Sequence, residues 1–270
     1  MDIDFNKKTW VMGILNVTPD SFSDGGRYTT MDRAMEQAKQ MAADGADIID
    51  VGGESTRPGY TQVSDQEEID RVVPIIKALS SELDILISID TYKSEVARAA
   101  VEAGAHIIND IWGAKYDPEI AKVAAEKRVP LILTHNRKDT SYNNFWEEVQ
   151  RDLKESIQIA LDAGVEKKRI WLDPGIGFAK TAAHNIEMMQ RLDRLVEMGY
   201  PVLLGTSRKS IIGKVLDVPV TERLEGSLAT VCYGVEKGCQ IVRVHDVKET
   251  SRAVRMMDVL TGKQVYKGED

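Results

Sequence analysis

The chain has 270 residues, 43% of them hydrophobic and 29% charged, a globular mixture that can fill a large core and excludes a disordered chain. No apolar run approaches the roughly 18 residues of a membrane span. Lys and Arg number 35 against 43 Asp and Glu, a formal net charge of −8 that argues against a nucleic-acid binder and asks any anionic substrate to be met by a local cluster of cations.

Short β-branched runs alternate with amphipathic stretches along the whole chain. The pattern predicts a strand at 10–16, a helix at 31–44, a strand at 47–51 and a helix at 65–81. It continues with strand 85–90, helix 94–103, strand 106–110, helix 118–127, strand 130–135 and helix 145–163. Strand 170–173, helix 185–197, strand 201–205, helix 221–236, strand 241–244 and helix 247–260 complete it. Gly45, Gly104, Gly164, Gly199 and Gly238 stand where helices give way to strands, as left-handed closing residues do. Ile85-Leu-Ile-Ser-Ile89 is apolar almost throughout, as buried parallel strands are. Eight βα units with no linker or low-complexity stretch predict one α/β domain, a (β/α)8 TIM barrel spanning 1–270, over a doubly wound sheet that would leave three repeats unplaced. The loops 18–30 and 52–64 follow the first two strands, on the face where barrels carry their chemistry.

The residues at the strand ends are polar in every unit. They are Asn16; Glu54-Ser-Thr-Arg57; Asp90; Asn109-Asp110; His135-Asn-Arg137; Asp173; Thr206-Ser-Arg-Lys-Ser210; and Arg243-Val-His-Asp246. One such residue is unremarkable, because Asp and Asn cap helices and form turns. Eight in a row describe a ring around one pocket. Arg57, Lys209, Arg243 and His245 suit phosphate oxygens, with Lys209-Ser210 opening a helical turn toward the pocket. Asp90, Asn109 and Asp173 suit a heterocycle that offers paired N–H donors, Asn109 giving one bond and accepting another.

Other features read as structural. His106 and His184 lack ligand spacing, His135 stands between a structural and a functional role, and the methionine pairs 35/41, 188/189 and 256/257 read as core filling. The pair Gly175/Gly177 lacks the third glycine of a dinucleotide fingerprint, and there is no phosphate-binding Walker loop. Cys232 and Cys239 form no CxxC pair and read as free thiols. With the start Met1-Asp-Ile-Asp-Phe5 lacking a basic and apolar leader, the expected location is the cytoplasm.

The motifs Met12-Gly-Ile-Leu-Asn-Val-Thr-Pro-Asp-Ser-Phe-Ser-Asp-Gly-Gly26 and Asp47-Ile-Ile-Asp-Val-Gly-Gly-Glu-Ser-Thr-Arg-Pro-Gly59 resemble the two long signatures of the dihydropteroate synthases. Ser88-Ile-Asp-Thr91, Ile108-Asn-Asp110, Leu172-Asp-Pro-Gly-Ile-Gly-Phe178, Gly205-Thr-Ser-Arg-Lys-Ser210 and Arg243-Val-His-Asp246 follow in that family's order. The resemblance implies condensation of 6-hydroxymethyl-7,8-dihydropterin diphosphate with p-aminobenzoate to 7,8-dihydropteroate and diphosphate, with Mg²⁺. Carried over motif by motif, Asp90, Asn109, Asp173 and Lys209 match the pterin site. Asn16, Thr56, Arg57, Arg243 and His245 match the diphosphate and metal site, Asn16 being the Mg²⁺ ligand. Phe22, Pro58, Phe178 and Ser210 match the p-aminobenzoate pocket.

The catalytic set expected on this basis is Asp90, Arg57, Lys209, Arg243 and His245. On this basis diphosphate is expected to leave first, its charge met by Mg²⁺ and fixed cations, and the arylamine to attack next with no covalent enzyme intermediate. The resemblance also implies a homodimer and a target of sulfonamides, while the charge and the lack of a long apolar run predict no nucleic-acid or membrane partner. The chain departs from the family at Thr134, where many members carry a methionine-bearing stretch, and at Ala179, where glycine is frequent. Two other functions are weighed: a methyltetrahydrofolate methyltransferase on a related barrel, which needs no diphosphate cations, and a pterin-binding paralogue without catalysis.

Overall fold

Eight parallel strands, β1 (Trp10–Asn16), β2 (Ile48–Gly52), β3 (Leu86–Asp90), β4 (Ile107–Asp110), β5 (Leu131–Thr134), β6 (Ile170–Asp173), β7 (Leu203–Leu204) and β8 (Ile241–Val244), pair in the order β6-β5-β4-β3-β2-β1-β8-β7 in the computed structural model. The structure describes residues 3–18, 27–54, 62–266 and 268, and the side chains of 27–29 are not among those described. A bridge between Leu172 and Val202 closes β6 toward β7, with Leu172 N–H donating to Pro201 O at 2.8 Å. The result is the expected (β/α)8 barrel.

Around it run α1 (Arg27–Ala43), α2 (Asp65–Glu82), α3 (Ser94–Glu102), α4 (Glu119–Lys127), α5 (Phe145–Asp162), α6 (Ala182–Gln190), α7 (Leu192–Val196), α8 (Ser210–Leu216), α9 (Leu224–Glu236) and α10 (Val247–Leu260). Two helix starts show their chemistry directly. Ser64 caps α2 by accepting from Glu67 N–H ahead of an acidic first turn, and Asn144 caps α5 in the same way. All five helix-ending glycines take positive φ, from 77° at Gly199 to 120° at Gly104.

Strand residues alternate between two faces, and here the alternation sorts the interior into layers. Met12, Ile48, Leu86, Ile107, Ile132, Trp171, Leu203 and Ile241 form one apolar cluster inside the barrel, floored by Ile3, Phe5 and Trp10. Each fully buried aliphatic here contributes about 1.5–3 kcal/mol relative to exposure. The intervening residues, such as Leu15, Ile49, Ile87, Ile108 and Leu133, face outward into the larger core against the helices. Two residues beyond the inner cluster the sequence turns polar: Asp50, Ser88, Asn109, Thr134, Asp173 and Arg243 stand one pleat higher. The register aligns Asp50 with Ser88, Asp90 with Asn109, and Thr134 with Asp173.

Some expected elements differ. The strand expected at 201–205 shortens to β7, because Pro201 has no N–H to give the ladder. The helix expected at 185–197 starts earlier, at Ala182, where Thr181 and His184 form a reciprocal cap. It also breaks at Arg191, after which Leu192 and Leu195 of α7 are fully buried. Helix α9 starts at Leu224 rather than at 221, behind a single 3₁₀ turn, Val220–Glu222. Met256 is 57% exposed on α10, so it does not fill the core, whereas Met35, Met41 and Met188 do.

Candidate active site

The polar layers meet at Arg243. From β8 its Nε donates to Asp50 Oδ2 at 2.6 Å and its Nη2 to Asp90 Oδ2 at 2.5 Å. Asn109 Nδ2 donates to the same Asp50 oxygen at 3.0 Å. That bond uses one of the two amide protons and leaves Asn109 with one donor and its carbonyl oxygen. Among the described residues, Asp50 Oδ1, Asp90 Oδ1 and Ser88 Oγ are buried with no hydrogen-bond partner. Orphaned buried oxygens are costly, so three of them at interior positions mark a place for a ligand rich in N–H donors.

On the other side of the barrel Asp173 ends β6, and its Oδ1 accepts from Gly175 N–H at 2.7 Å. Lys209, immediately before α8, reaches back and donates its Nζ to Ile176 O. Gly205 shows how tightly these groups converge. A Cβ there would stand 3.9 Å from Asp173 Oδ2, from Lys209 Nζ and from Arg243 Cβ alike. Gly52 plays a similar part near Asn16, whose Oδ1 would lie 3.5 Å from an added Cβ and Asp90 Oδ2 3.8 Å from it.

Burial pushes the Asp90 carboxyl up, against the pull of Arg243, and pushes Asp173 up against the pull of Lys209. Burial also lowers the Lys209 ammonium to about 8, with Asp173 opposing the shift. For Arg243 burial is outweighed by Asp50 and Asp90, which hold the guanidinium charged. The site therefore pairs fixed positive charge with carboxylates whose remaining oxygens are unspent.

His245 follows β8, where its backbone N–H donates to Ser207 Oγ at 3.1 Å and its Nδ1 lies 3.0 Å from the same oxygen. Phe178 is half-buried, with Lys209 Nζ 5.0 Å from its ring centroid, and Ser210 is exposed as the first residue of α8. Phe22, Thr56, Arg57 and Pro58 lie outside the described residues. The structure thus brings Asp90, Asn109, Asp173, Lys209 and Arg243 together, with Asn16, His245 and Phe178 on the same face.

Three histidines resolve as structural or supporting groups. His106 Nδ1 accepts from Ile87 N–H at 3.1 Å, and His184 stacks on Phe145 at 4.8 Å. His135 is buried between Lys180 and Asp152, and burial lowers its ring to about 4. Asp50 and Ser88 were not anticipated as site residues. Nor were Lys93 and Glu68, which form a buried trio with Glu54 at the base of the second loop: Lys93 Nζ donates to Glu54 at 2.8 Å and to Glu68 at 2.7 Å. A carboxylate inside the apolar run Ile48-Ile-Asp50-Val is the signal that could have found Asp50. Thr134 is buried and stands in register with Asp173, inside the polar layer of the barrel.

A barrel with this interior belongs to a recognisable class: the model of the pterin-binding enzymes matches residues 12–245. The dihydropteroate synthase of Bacillus subtilis is 58% identical over 261 residues, covering 97% of this chain and 92% of that protein. The Clostridium difficile dihydropteroate synthase, solved with pteroic acid, superposes with a TM-score of 0.94 at 50% identity, over 96% of this chain and 99% of that one. The Xanthomonas albilineans dihydropteroate synthase, solved with 4-aminobenzoic acid, gives 0.90 at 43% identity, over 94% of each chain. The chain belongs to the dihydropteroate synthase family, and it is an enzyme that transfers a group. Among the described residues no helix is long and apolar enough to cross a membrane.

Proposed function

We propose that this chain joins 6-hydroxymethyl-7,8-dihydropterin diphosphate to p-aminobenzoate and releases diphosphate. The observation that carries the reading is the set of unspent interior acceptors on Asp50, Asp90 and Ser88 beside the bound cation of Arg243. The relatives solved with pteroic acid and with 4-aminobenzoic acid support the same two substrates.

In this reading Asp173, Asn109 and Lys209 hold the pterin ring in plane, and Asp90 faces it from β3. The bond from the exocyclic methylene carbon to oxygen breaks, and its electrons leave with diphosphate. Arg243 and His245 meet that charge, with Arg57 and Thr56 from the second loop. Asp90 and Asp173 stabilise the methylene cation through the ring. The arylamine nitrogen, seated among Phe178, Ser210, Phe22 and Pro58, then forms the C–N bond and loses its extra proton to solvent. No enzyme side chain becomes covalently attached. The fixed cations count against a methyltransferase, which has no diphosphate to release.

The described residues contain no cluster of three or more His, Cys, Asp or Glu suited to a metal. A single amide oxygen, that of Asn16 near Asp90, fits an ion such as Mg²⁺ that keeps most of its shell as water and phosphate oxygens. Bound there, Mg²⁺ would supply charge to the leaving diphosphate.

Two further expectations belong to this reading. Homodimerisation is supported by the exposed apolar residues Val215, Leu216, Val220 and Leu260 on and near α8 and α10. A reducing cytoplasmic setting is supported by the unpaired Cys232 and Cys239. The reading is tested by calorimetry on Asp173→Ala: pterin binding should be abolished, and an unchanged affinity would overturn the ring orientation.

A further inference from the structure

Lys180 is buried at 9% exposure, and among the described residues its ammonium forms no ion pair with a carboxylate. Its Nζ lies 2.8 Å from His135 Nδ1 and 3.4 Å from His135 O, and donates to Gly175 O at 3.0 Å and to Phe178 O at 3.1 Å. An ammonium buried on neutral acceptors is expensive, and a methionine would fill the same space without that cost. We propose that Lys180, backed by His135 and Asp152, is a positioning residue that sets the turn 174–178 against which the acceptor arylamine packs.

The backbone bond inside the turn, Phe178 N–H to Gly175 O at 3.0 Å, does not hold it alone. Gly175 and Gly177 take φ of 66° and 87°, and Ala179 follows at 44°, so three of five successive residues are left-handed. Helical or strand ladders cannot satisfy such a segment, and its carbonyls turn to side chains instead. Lys180 takes those of Gly175 and Phe178, Lys209 takes that of Ile176, and the Tyr142 hydroxyl donates to Ala179 O at 2.9 Å. The loop after β5 is pressed against it, since a Cβ on Gly175 would meet His135 O at 1.9 Å.

Behind Lys180 the support is a relay. When Lys180 is charged its Nζ only donates, so His135 Nδ1 accepts and the ring proton sits on Nε2, which faces Asp152 Oδ2 at 3.2 Å. Asp152 lies on α5, so the relay ties the turn to the outer layer of the barrel. Arg137 Nε, 3.2 Å from the same Asp152 oxygen, adds a second tether.

Asp173 and Phe178 stand at the two ends of this turn and depend on it differently. Asp173 is fixed by the β5–β6 register and by its own bond to Gly175 N–H. Phe178 is held by its N–H to Gly175 O at 3.0 Å and by Lys180 on its carbonyl. Loss of Lys180 should therefore disturb the acceptor pocket more than the pterin pocket. The inference rests on the function proposed above, in which Phe178 lines the acceptor site.

Steady-state kinetics on the full-length wild type, Lys180→Met and Asp152→Asn separate the possibilities. Lys180→Met should raise KM for p-aminobenzoate about 10-fold or more while KM for the pterin diphosphate stays within about 3-fold. Asp152→Asn, a milder change that keeps the shape of the side chain, should move the same constant about 3-fold, and it decides the matter if Lys180→Met fails to fold. Equal rises for both substrates, or an unchanged p-aminobenzoate KM in a folded variant, would overturn the inference while leaving the proposed function intact. A wild type that forms no dihydropteroate would overturn the proposed function and this inference with it.

Discussion

Asp50 and Arg243 stand 193 residues apart in sequence and meet inside the barrel, Oδ2 to Nε at 2.6 Å. Asp50 is fully buried, so its charge is tolerable only because Arg243 neutralises it and Asn109 bonds to it. The same carboxylate thereby orients two site residues from β4 and β8. Asp50→Asn keeps the shape and removes the charge, and should lower kcat/KM about 10- to 100-fold with pterin affinity falling alongside. Values within about 3-fold of wild type, by kinetics and calorimetry, would show that Asp50 only fills space.

Arg243 also bridges Asp50 to Asp90, which makes its removal a stability problem as well as a catalytic one. Arg243→Ala should cost at least ~2–3 kcal/mol in transition-state stabilisation, and the two carboxylates left unpaired should lower Tm as well. Arg243→Lys keeps the charge but cannot span both carboxylates and still present a donor to an anion. It should fold and still lose about 10-fold or more in kcat/KM, measured beside Tm for both variants.

Lys209 sets an alkaline limb. Burial lowers its ammonium to about 8, so the charged form that anchors Ile176 O and faces Asp173 predominates below that pH and is lost as pH rises through it. The profile of kcat/KM for the pterin substrate should fall as pH rises through about 8, and Lys209→Arg should shift that limb to higher pH. The stability effect has the opposite sign. Between about 8 and the ordinary value of 10.5 the unfolded chain holds the proton and the folded chain does not, so this lysine makes stability rise with pH there.

Ala179 has φ of 44°, a left-handed conformation that costs a side-chain-bearing residue about 1–2 kcal/mol. Glycine removes that strain and returns about 0.4–1 kcal/mol of unfolded-state entropy. Ala179→Gly should raise stability by roughly 0.5 kcal/mol, read as a Tm increase of about 1–2 °C. A fall in Tm would show that the methyl group contributes packing that outweighs its strain.

The barrel was legible because its strands are β-branched runs bracketed by polar ends. The runs 10–16, 170–173 and 241–244 coincide with β1, β6 and β8 to the residue. The ring at the strand ends was legible for the same reason, since runs such as 10–16, 85–90 and 170–173 stop on a polar side chain. One pleat deeper the reading failed. Asp50 and Ser88 sit within the strands, and only the register that pairs them and the bond from Asn109 to Asp50 show that they belong to the site. Lys180 was hidden by distance along the chain: His135, which it contacts, is 45 residues earlier, and nothing local marks the pair. The break at Arg191 was hidden because the apolar spacing of 185–197 runs on through it, and tertiary packing of Leu192 and Leu195 decides the bend.

The central claim is that these interior acceptors and cations drive departure of diphosphate before attack by the amine. The direct measurement is diphosphate release by purified protein supplied with the pterin diphosphate, with and without p-aminobenzoate and with and without Mg²⁺. The account predicts release that requires Mg²⁺ and gives 7,8-dihydropteroate only when the amine is present. Tight pterin binding with no diphosphate released under any of these conditions would contradict it and leave a pterin-binding protein without catalysis.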